Sequence, residues 1–191
     1  MAHLTHILPC TPRGGRNWRI VLSGAIAVAV VVRPLLASDS VALEDTVKAA
    51  FVYKFAPFVT WPQSAGGQEA FRICSYGSDG VTAILARVTT GEQVDKRPIA
   101  VQSIQTADQL DGCRIVYIAD GAAADGLLSA AKTRPVLTVT QSPLRGMVEL
   151  VTDQHHVRFD IDLDLVRQSG LVISSKLLGL ARSVRTSKEP G

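Results

Sequence analysis

The sequence lacks the short motifs by which many enzymes are recognised. It contains no C-x-x-C pair, no H-E-x-x-H, no P-loop and no G-x-S-x-G segment. Catalytic triads are assembled from residues far apart in the chain, so these absences do not exclude an enzyme. They do favour a binding or regulatory protein, and we therefore predict no catalytic residue, no bound metal and no cofactor.

Most of the chain also lacks an excess of positive or negative charge. The formal net charge is +3, but four of the 20 basic residues and one of the 17 acidic residues precede residue 41. The remaining residues carry 16 bases and 16 acids, so they are electrically neutral. A neutral domain creates no long-range field that would attract nucleic acid or an anionic membrane, and we therefore predict no nucleic-acid partner.

The amino-terminal apolar run falls short of a typical membrane span. Residues 20–32 form a run of 13 residues, whereas a spanning helix needs about 20. The run follows Arg13, Arg16 and Arg19 and precedes small residues, which is the pattern of a secretory signal peptide. We predict a leader over residues 1–40, cleaved between about residues 37 and 42, and a periplasmic mature protein without membrane insertion. The alternative is an uncleaved amino-terminal anchor.

Cysteine is scarce, with three residues in the chain. Cys10 lies ahead of the apolar run and would leave with the leader, so Cys74 and Cys113 remain. An even number of cysteines in an oxidising compartment suggests a disulfide. Cys74 lies inside the first predicted strand and Cys113 directly precedes the third, and such strands are usually neighbours in a doubly wound sheet. The alternative is two buried thiols that pack as small apolar residues.

Short strands alternate with short helices along the rest of the chain. An apolar stripe predicts a helix over 41–59 that ends near Ala56, because Pro57 disfavours helical backbone before it. The other predicted helices are 82–88, 120–132, 163–168 and 174–183, with one helical turn at 107–110. The predicted strands are 71–76, 98–104, 114–119 and 135–140.

This alternation predicts one α/β domain over residues 41–183, followed by a disordered tail at 184–191. Strands that are separated by helices usually pair in parallel, so we expect a three-layer, Rossmann-like open sheet that is mostly parallel. Residues 147–151 and 157–161 flank a polar loop at 152–156. We predict that they form an antiparallel hairpin at one edge of the sheet.

One candidate ligand site follows the first strand. Gly77, Ser78, Asp79 and Gly80 lie where open α/β sheets place ligands and where backbone amides can hold an anion. The segment lacks the G-x-G-x-x-G spacing of nucleotide-binding loops. The more ordinary interpretation is a turn that caps the next helix.

Two further groupings are weak candidates for a metal site. Asp160, Asp162 and Asp164 alternate, and on one strand their carboxylates would share a face. The chain looks helical from residue 163 onward, so Asp162 or Asp164 is predicted to cap that helix instead. His155 and His156 are adjacent and would point to opposite faces of a strand, so we predict no shared metal ion between them.

The order of several short segments resembles the YfiR family of periplasmic proteins. The likeness covers about residues 45–182. The segments that carry it are 47–55 (VKAAFVYKF) with Trp61-Pro62, 71–74 (FRIC), 94–98 (VDKRP), 110–113 (LDGC), 135–139 (PVLTV), 146–151 (GMVELV), 157–163 (VRFDIDL) and 170–178 (GLVISSKLL).

This resemblance implies a dimeric periplasmic α/β protein. The best-known kind of this family binds the periplasmic sensor domain of an inner-membrane diguanylate cyclase and restrains that enzyme. The cyclase makes cyclic di-GMP, so the periplasmic protein indirectly governs biofilm formation. Redox state acts through cysteines in that kind. Cys74 and Cys113 match one family pair, whereas the second pair has no counterpart because Cys113 is the last cysteine.

We therefore predict a homodimeric repressor of such a cyclase. The partner would contact the exposed parts of the carboxyl-terminal hairpin and helices, for which we name Asp160, Asp162, Arg167 and Lys176. The disulfide could hold the first and third strands, and hence the surface that they support, in one arrangement. The alternatives are a small-ligand sensor that serves a sensor kinase or a transporter, with its pocket near residues 77–80, and a periplasmic hydrolase.

Overall fold

The computed structural model describes residues 36–62, 70–154 and 156–187, with side chains described from residue 41. The chain divides into two units, Met1–Pro34 and Leu35–Gly191, and the described residues belong to the second. The arginines and the apolar run of the predicted leader therefore lie outside the described residues. Within the described ranges, no helix combines the length and the hydropathy that crossing a membrane requires.

An eight-stranded sheet forms the centre of the described domain. Its strands are β2 (Phe71–Tyr76), β3 (Gln93–Val94), β4 (Arg97–Ser103), β5 (Ile115–Ile118), β6 (Leu137–Gln141), β7 (Val148–Asp153), β8 (His156–Asp162) and β10 (Ser183–Arg185). Their spatial order is β10-β8-β7-β6-β5-β2-β4-β3. Neighbouring strands are parallel except for the pairs β7–β8 and β3–β4, which are antiparallel.

Five α-helices and a separate two-stranded sheet complete the described part. The two-stranded sheet pairs β1 (Val59–Thr60) with β9 (Val172–Ile173). Short 3-10 helices lie at Ala56–Phe58 and Ala107–Leu110. The α-helices are α1 (Leu36–Lys54), α2 (Asp79–Val88), α3 (Ala124–Ala131), α4 (Leu163–Gln168) and α5 (Ser175–Leu180).

Both faces of the sheet are apolar, because alternate residues of a strand point to opposite faces and helices cover each side. Ile73 and Tyr117 belong to one buried core, together with apolar residues of α1, α2, α4 and α5. Cys74 is next to Ile73 on β2, and Val116 is next to Tyr117 on β5. Both belong to a second core with residues of α3. The three-layer, mostly parallel α/β fold expected from the sequence is confirmed.

Local sequence signals explain where several helices begin. The Ser78 side chain accepts a hydrogen bond from the Val81 amide at the start of α2. The Asp162 carboxylate accepts from the amides of Asp164 and Leu165 at the start of α4. Such caps satisfy amides that have no partner inside the helix. Of the two caps predicted for α4, the one at Asp162 is confirmed. The predicted cap before α2 is also confirmed, but α2 begins at Asp79, three residues earlier than predicted, so Asp79 and Gly80 belong to the helix and not to the turn.

The carboxyl-terminal end of the domain differs from the prediction. The antiparallel hairpin exists, but it does not form the edge of the sheet, because β10 pairs in parallel with β8 outside it. The predicted helix over 174–183 ends at Leu180, and Val184 and Arg185, which were assigned to a disordered tail, belong to β10. A strand of three residues shows no alternation that a sequence pattern could reveal.

The ends of two other predicted helices also need correction. The first helix begins at Leu36, five residues before the predicted Val41, and stops at Lys54, ahead of a 3-10 turn. The alanine-rich helix predicted over 120–132 is shorter, because residues 120–123 form a loop before α3. The two-residue strands β1, β3 and β9 were not predicted, since their pairing depends on distant residues.

Candidate functional site

Cys74 and Cys113 are joined by a disulfide in the second core. Their Cα atoms are 5.8 Å apart, and 39 residues separate them along the chain. β2 and β5 are neighbours, with Cys74 opposite Val116, so the predicted adjacency of the two strands is confirmed. Cys74 is fully buried and Cys113 is 3% exposed. A reductant therefore reaches the sulfur atoms only if this core opens locally.

A charged cluster ties the carboxyl-terminal strand β10 to the sheet. The Arg182 guanidinium donates two hydrogen bonds to the Asp160 carboxylate, at 2.9 and 2.6 Å. Arg185 donates to Glu149 at 3.1 Å and lies within 4 Å of the carboxylates of Asp160 and Asp162. Paired arginines and carboxylates of this kind are strong, directional contacts.

Electrostatics reinforce this cluster. The hydrogen bond from Arg182 lowers the pKa of Asp160 below its ordinary value, despite the burial of this carboxyl group. The same contact raises the pKa of Arg182. Asp164, at the start of α4, accepts a hydrogen bond from the Ser187 amide, which lowers the pKa of its carboxyl group. These carboxylates are occupied by partners from the chain itself.

The four residues named for partner binding are placed in two different environments. Asp160 is 3% exposed and paired with arginines, and Asp162 caps α4. Both therefore have internal structural roles. Arg167 on α4 and Lys176 on α5 are exposed. The basic pair, rather than the acidic pair, is accessible to another protein.

The segment 77–80 lies at the carboxyl end of β2, beside the end of β5. The order in which the chain adds strands to the sheet reverses here, because β4 lies on one side of β2 and β5 on the other. The Val81 amide that follows the segment and two amides of the facing loop already have partners. The Ser78 hydroxyl accepts from Val81, Asp120 accepts from Gly121, and the Tyr76 hydroxyl accepts from Ala123. The depression here is also lined by the carboxylates of Asp79 and Asp120. These features oppose the anion-binding interpretation of residues 77–80.

The candidate metal groupings do not assemble. Of the three alternating aspartates, Asp160 contacts arginines and Asp162 contacts helix amides. His156 is exposed on β8, with its Nδ1 close to the Gln154 carbonyl oxygen, and His155 lies outside the described residues. Within the described ranges, no three residues among His, Cys, Asp and Glu are arranged to hold a metal ion.

A buried polar network beneath α1 was not anticipated from the sequence. Lys48 is 4% exposed, and its Nζ donates to Gln141 Oε1 at 2.9 Å and forms an ion pair with Glu44 at 2.6 Å. The Tyr117 hydroxyl donates to the same oxygen at 3.1 Å, and burial raises the pKa of Tyr117. The network joins α1 to the central strands, so Lys48 in the 47–55 segment has a structural role.

A cleft that the sequence analysis also missed lies at the amino-terminal edge of the sheet, where β4 and β5 begin. Its volume is about 350 Å³. One wall follows the 3-10 helix and β1, the other is the β3–β4 turn, and a buried arginine forms the floor. The residues that matter for its chemistry are Pro57, Thr60, Trp61, Asp95, Arg97 and Arg114.

Comparison with known families identifies one match. The profile of the YfiR/HmsC-like family matches residues 45–182, which is most of the chain. The match includes α1 from residue 45, the disulfide, the Asp160–Arg182 pair and the cleft at Arg114, whereas Arg185 lies beyond it. No curated protein matches the sequence significantly.

Two solved structures are similar at low sequence identity. A conserved domain protein from Vibrio cholerae is 10% identical with a TM-score of 0.51, and the match covers 74% of this chain and 60% of that one. The ABC domain from Streptococcus pneumonia, solved in complex with L-Trp, is 10% identical with a TM-score of 0.46 over the same shares. The chain thus spans 60% of the length of each. The likeness to the Vibrio cholerae protein concerns the fold alone.

Proposed function

The chain belongs to the YfiR/HmsC-like family, and from that membership we propose that it is a periplasmic regulator that binds and represses the periplasmic sensor domain of an inner-membrane diguanylate cyclase. It would thereby lower cyclic di-GMP and restrain biofilm formation. The family match over residues 45–182 is the observation that carries this proposal. The protein acts by binding and not by catalysis.

The buried disulfide supports the location outside the cytoplasm. Disulfides persist in the periplasm and are rare in the reducing cytosol of most bacteria. A periplasmic domain influences a cytoplasmic output only through a partner that crosses the inner membrane. It must bind one conformation of that partner more tightly than the other, because equal affinity for both shifts no equilibrium.

The exposed side chains of α4 and α5 are the proposed contact surface. Arg167 is 69% exposed and Lys176 is also exposed. Both are basic, so the facing surface of the cyclase is expected to be acidic. The pairing of β10 with β8 supports these helices, since α5 leads directly into β10. The protein is further expected to be a homodimer, which light scattering of the purified chain would measure.

Site-specific photo-crosslinking in the native host tests this proposal. The full chain would carry a photo-reactive amino acid at position 176, and a second version would carry it at Asp125, an exposed residue of α3 on the other face of the sheet. We expect a cross-linked product that contains a membrane diguanylate cyclase at position 176 and none at position 125. A cyclase absent from both products would contradict the proposal.

A charge-reversal variant gives the functional readout. In Arg167→Glu/Lys176→Glu, like charges would face the acidic surface, so we expect binding to weaken by about tenfold or more and cellular cyclic di-GMP to rise. Asp125→Lys is the matched control and should leave cyclic di-GMP unchanged at equal protein abundance. Unchanged cyclic di-GMP after deletion of the whole gene would refute repression of a cyclase.

A further inference from the structure

The Arg114 side chain is buried and has no partner among the described residues. Arg114 is 4% exposed, and its Nε is shielded from solvent with no hydrogen-bond acceptor. Across the described residues, its guanidinium group forms neither a hydrogen bond nor an ion pair. Buried charges in proteins are normally paired, because removal of a charge from water without compensation is costly.

The described side chains around Arg114 add a second positive charge and do not neutralise the charge of Arg114. Arg97 lines the same cleft, and the two arginines repel each other. Burial and the charge of Arg97 together lower the pKa of Arg114. Among the described residues that line the cleft, Asp95 is the one with a carboxylate. It contacts Arg97 at 3.4 Å and is 79% exposed, so it projects toward solvent and does not pair with Arg114.

The fold nevertheless holds Arg114 firmly in this position. Its main-chain amide donates to the Arg72 carbonyl oxygen at 2.8 Å, and its own carbonyl oxygen accepts from Trp61 Nε1 at 3.2 Å. The disulfide immediately before it fixes the chain to β2. Trp61 packs edge to face on Phe71, and the Arg97 guanidinium lies over the same Phe71 ring. The backbone that carries Arg114 is therefore fixed, and its guanidinium group lines the cleft without a partner among the described residues. Such prior ordering lowers the entropic cost of binding an anion.

We propose that this cleft binds a small soluble molecule through an oxyanion group, a carboxylate or a phosphate, held by Arg114 and Arg97. A guanidinium group presents parallel N–H donors that match the two oxygens of such a group. The volume of about 350 Å³ lies within the range of small-molecule sites. Trp61 and Pro57 provide an apolar wall for the rest of the ligand. The inference does not depend on the proposed repression of a cyclase.

Arginine side-chain NMR tests the site directly. Purified protein labelled with nitrogen-15 would be titrated with sodium acetate, sodium phosphate and sodium chloride at equal ionic strength, and the Nε–Hε signals would be followed. We expect a saturable shift of the Arg114 signal with acetate or phosphate and none with chloride. The anion that saturates at lower concentration identifies the preferred group. An Arg114 signal that does not move, or that moves equally with chloride, would overturn the proposal.

Matched variants at the same edge of the sheet locate the binding. Arg114→Met is expected to weaken oxyanion binding by about tenfold or more, and Arg97→Gln by a smaller factor, since a charge-assisted pair contributes on this scale. Asp95→Asn should tighten it, because a competing carboxylate is removed. Arg72→Met is the control, because Arg72 contacts the Asp111 carbonyl oxygen and does not line the cleft. Equal binding by Arg114→Met and the parent would refute the site.

One further variant separates an external ligand from a carboxylate of this chain. Glu69 precedes β2 and lies outside the described residues. If Glu69 were the partner of Arg114, the parent would bind no added oxyanion and Glu69→Gln would bind it. That outcome would overturn the proposal. Comparable binding by Glu69→Gln and the parent would support it.

Discussion

Two groups of arginines in this domain differ in how their charge is balanced. Arg182 and Arg185 face three carboxylates, of Glu149, Asp160 and Asp162, at distances of 2.6–3.9 Å. Arg114 is more deeply buried than either and faces no described carboxylate within ion-pair distance. The first group fastens the last strand to the sheet. Arg114 forms no ion pair with any described residue.

This difference gives a way to distinguish a buried charge that stabilises the fold from one that serves a function. A buried charge that only stabilises a fold is paired by the chain itself, because its loss of hydration must be offset. A buried charge that is left unpaired lowers stability, and functional sites are where such departures concentrate.

Removal of the disulfide should have the largest effect. Cys113 directly precedes Arg114, so Cys74→Ala/Cys113→Ala loosens the backbone that positions this arginine. A closed loop of 39 residues is worth at most about 4 kcal/mol in the chain-entropy model. We expect the free energy of unfolding, measured in urea, to fall by up to this amount.

Reduction of the parent protein after unfolding provides the control for the disulfide. Refolded, reduced parent should match the alanine variant, since both lack the cross-link. The oxyanion response of the Arg114 signal should weaken in both. A loss of stability under about 1 kcal/mol would show that the buried bond adds little, in conflict with the loop-closure argument.

Disruption of the paired group at Asp160 should have the next largest effect. Asp160→Ala removes two charge-assisted hydrogen bonds and leaves Arg182 and Arg185 with fewer partners. We expect a loss of about 1.5–3 kcal/mol in the free energy of unfolding, the usual range for hydrogen bonds to charged groups. Asp153→Ala, at an exposed carboxylate of β7, should change it by less than about 0.5 kcal/mol.

The pH dependence of unfolding distinguishes the ion pair from simple loss of packing. The pKa of Asp160 is lowered in the folded state by the hydrogen bond from Arg182. Its contribution is therefore fully present above the unfolded value, about 3.9, and is lost as the pH falls through the lower folded value. The difference between the parent and Asp160→Ala should be large at pH 6 and small near pH 2. A constant difference would contradict the electrostatic explanation.

Replacement of the unpaired arginine should have the smallest effect and the opposite sign. Arg114→Met keeps an unbranched apolar stem and removes a buried charge without a partner. We expect the free energy of unfolding to stay equal or rise by about 1 kcal/mol, measured in urea without added oxyanion. Arg185→Met, the same substitution in the paired group, should be destabilising. A strong destabilisation by Arg114→Met would show that this arginine has a structural partner after all.

The sequence predicted the elements with strong local signals. Ile115–Ile118 is a continuous apolar strand, Phe71–Tyr76 is mostly apolar, and the Asp162 side chain was recognised as a candidate helix cap. It failed at β1, β9 and β10, which have two or three residues each. Such strands exist because a distant strand offers hydrogen bonds to them, and no periodicity within them indicates this. The predicted disordered tail overlapped β10 for the same reason.

The candidate site was predicted only in part. The pairing of Cys74 with Cys113 followed from strand adjacency and the expected compartment. Asp160 and Asp162 were selected as charged residues of the carboxyl-terminal region, but exposure cannot be read from residue type, and both have partners inside the domain. Arg114 was read as the first residue of a strand. Its lack of a partner among the described residues depends on which side chains the fold places around it, and the sequence does not reveal this.

Local patterns and their order along the chain were enough to predict the alternation of strands and helices, a helix cap at the start of α4 and the family resemblance. The pairing of charges depends instead on contacts between residues that are far apart in the sequence. An ion pair requires two groups within a few ångströms, and residues such as Arg97 and Arg114 are brought to one cleft by strand order and not by their separation along the chain.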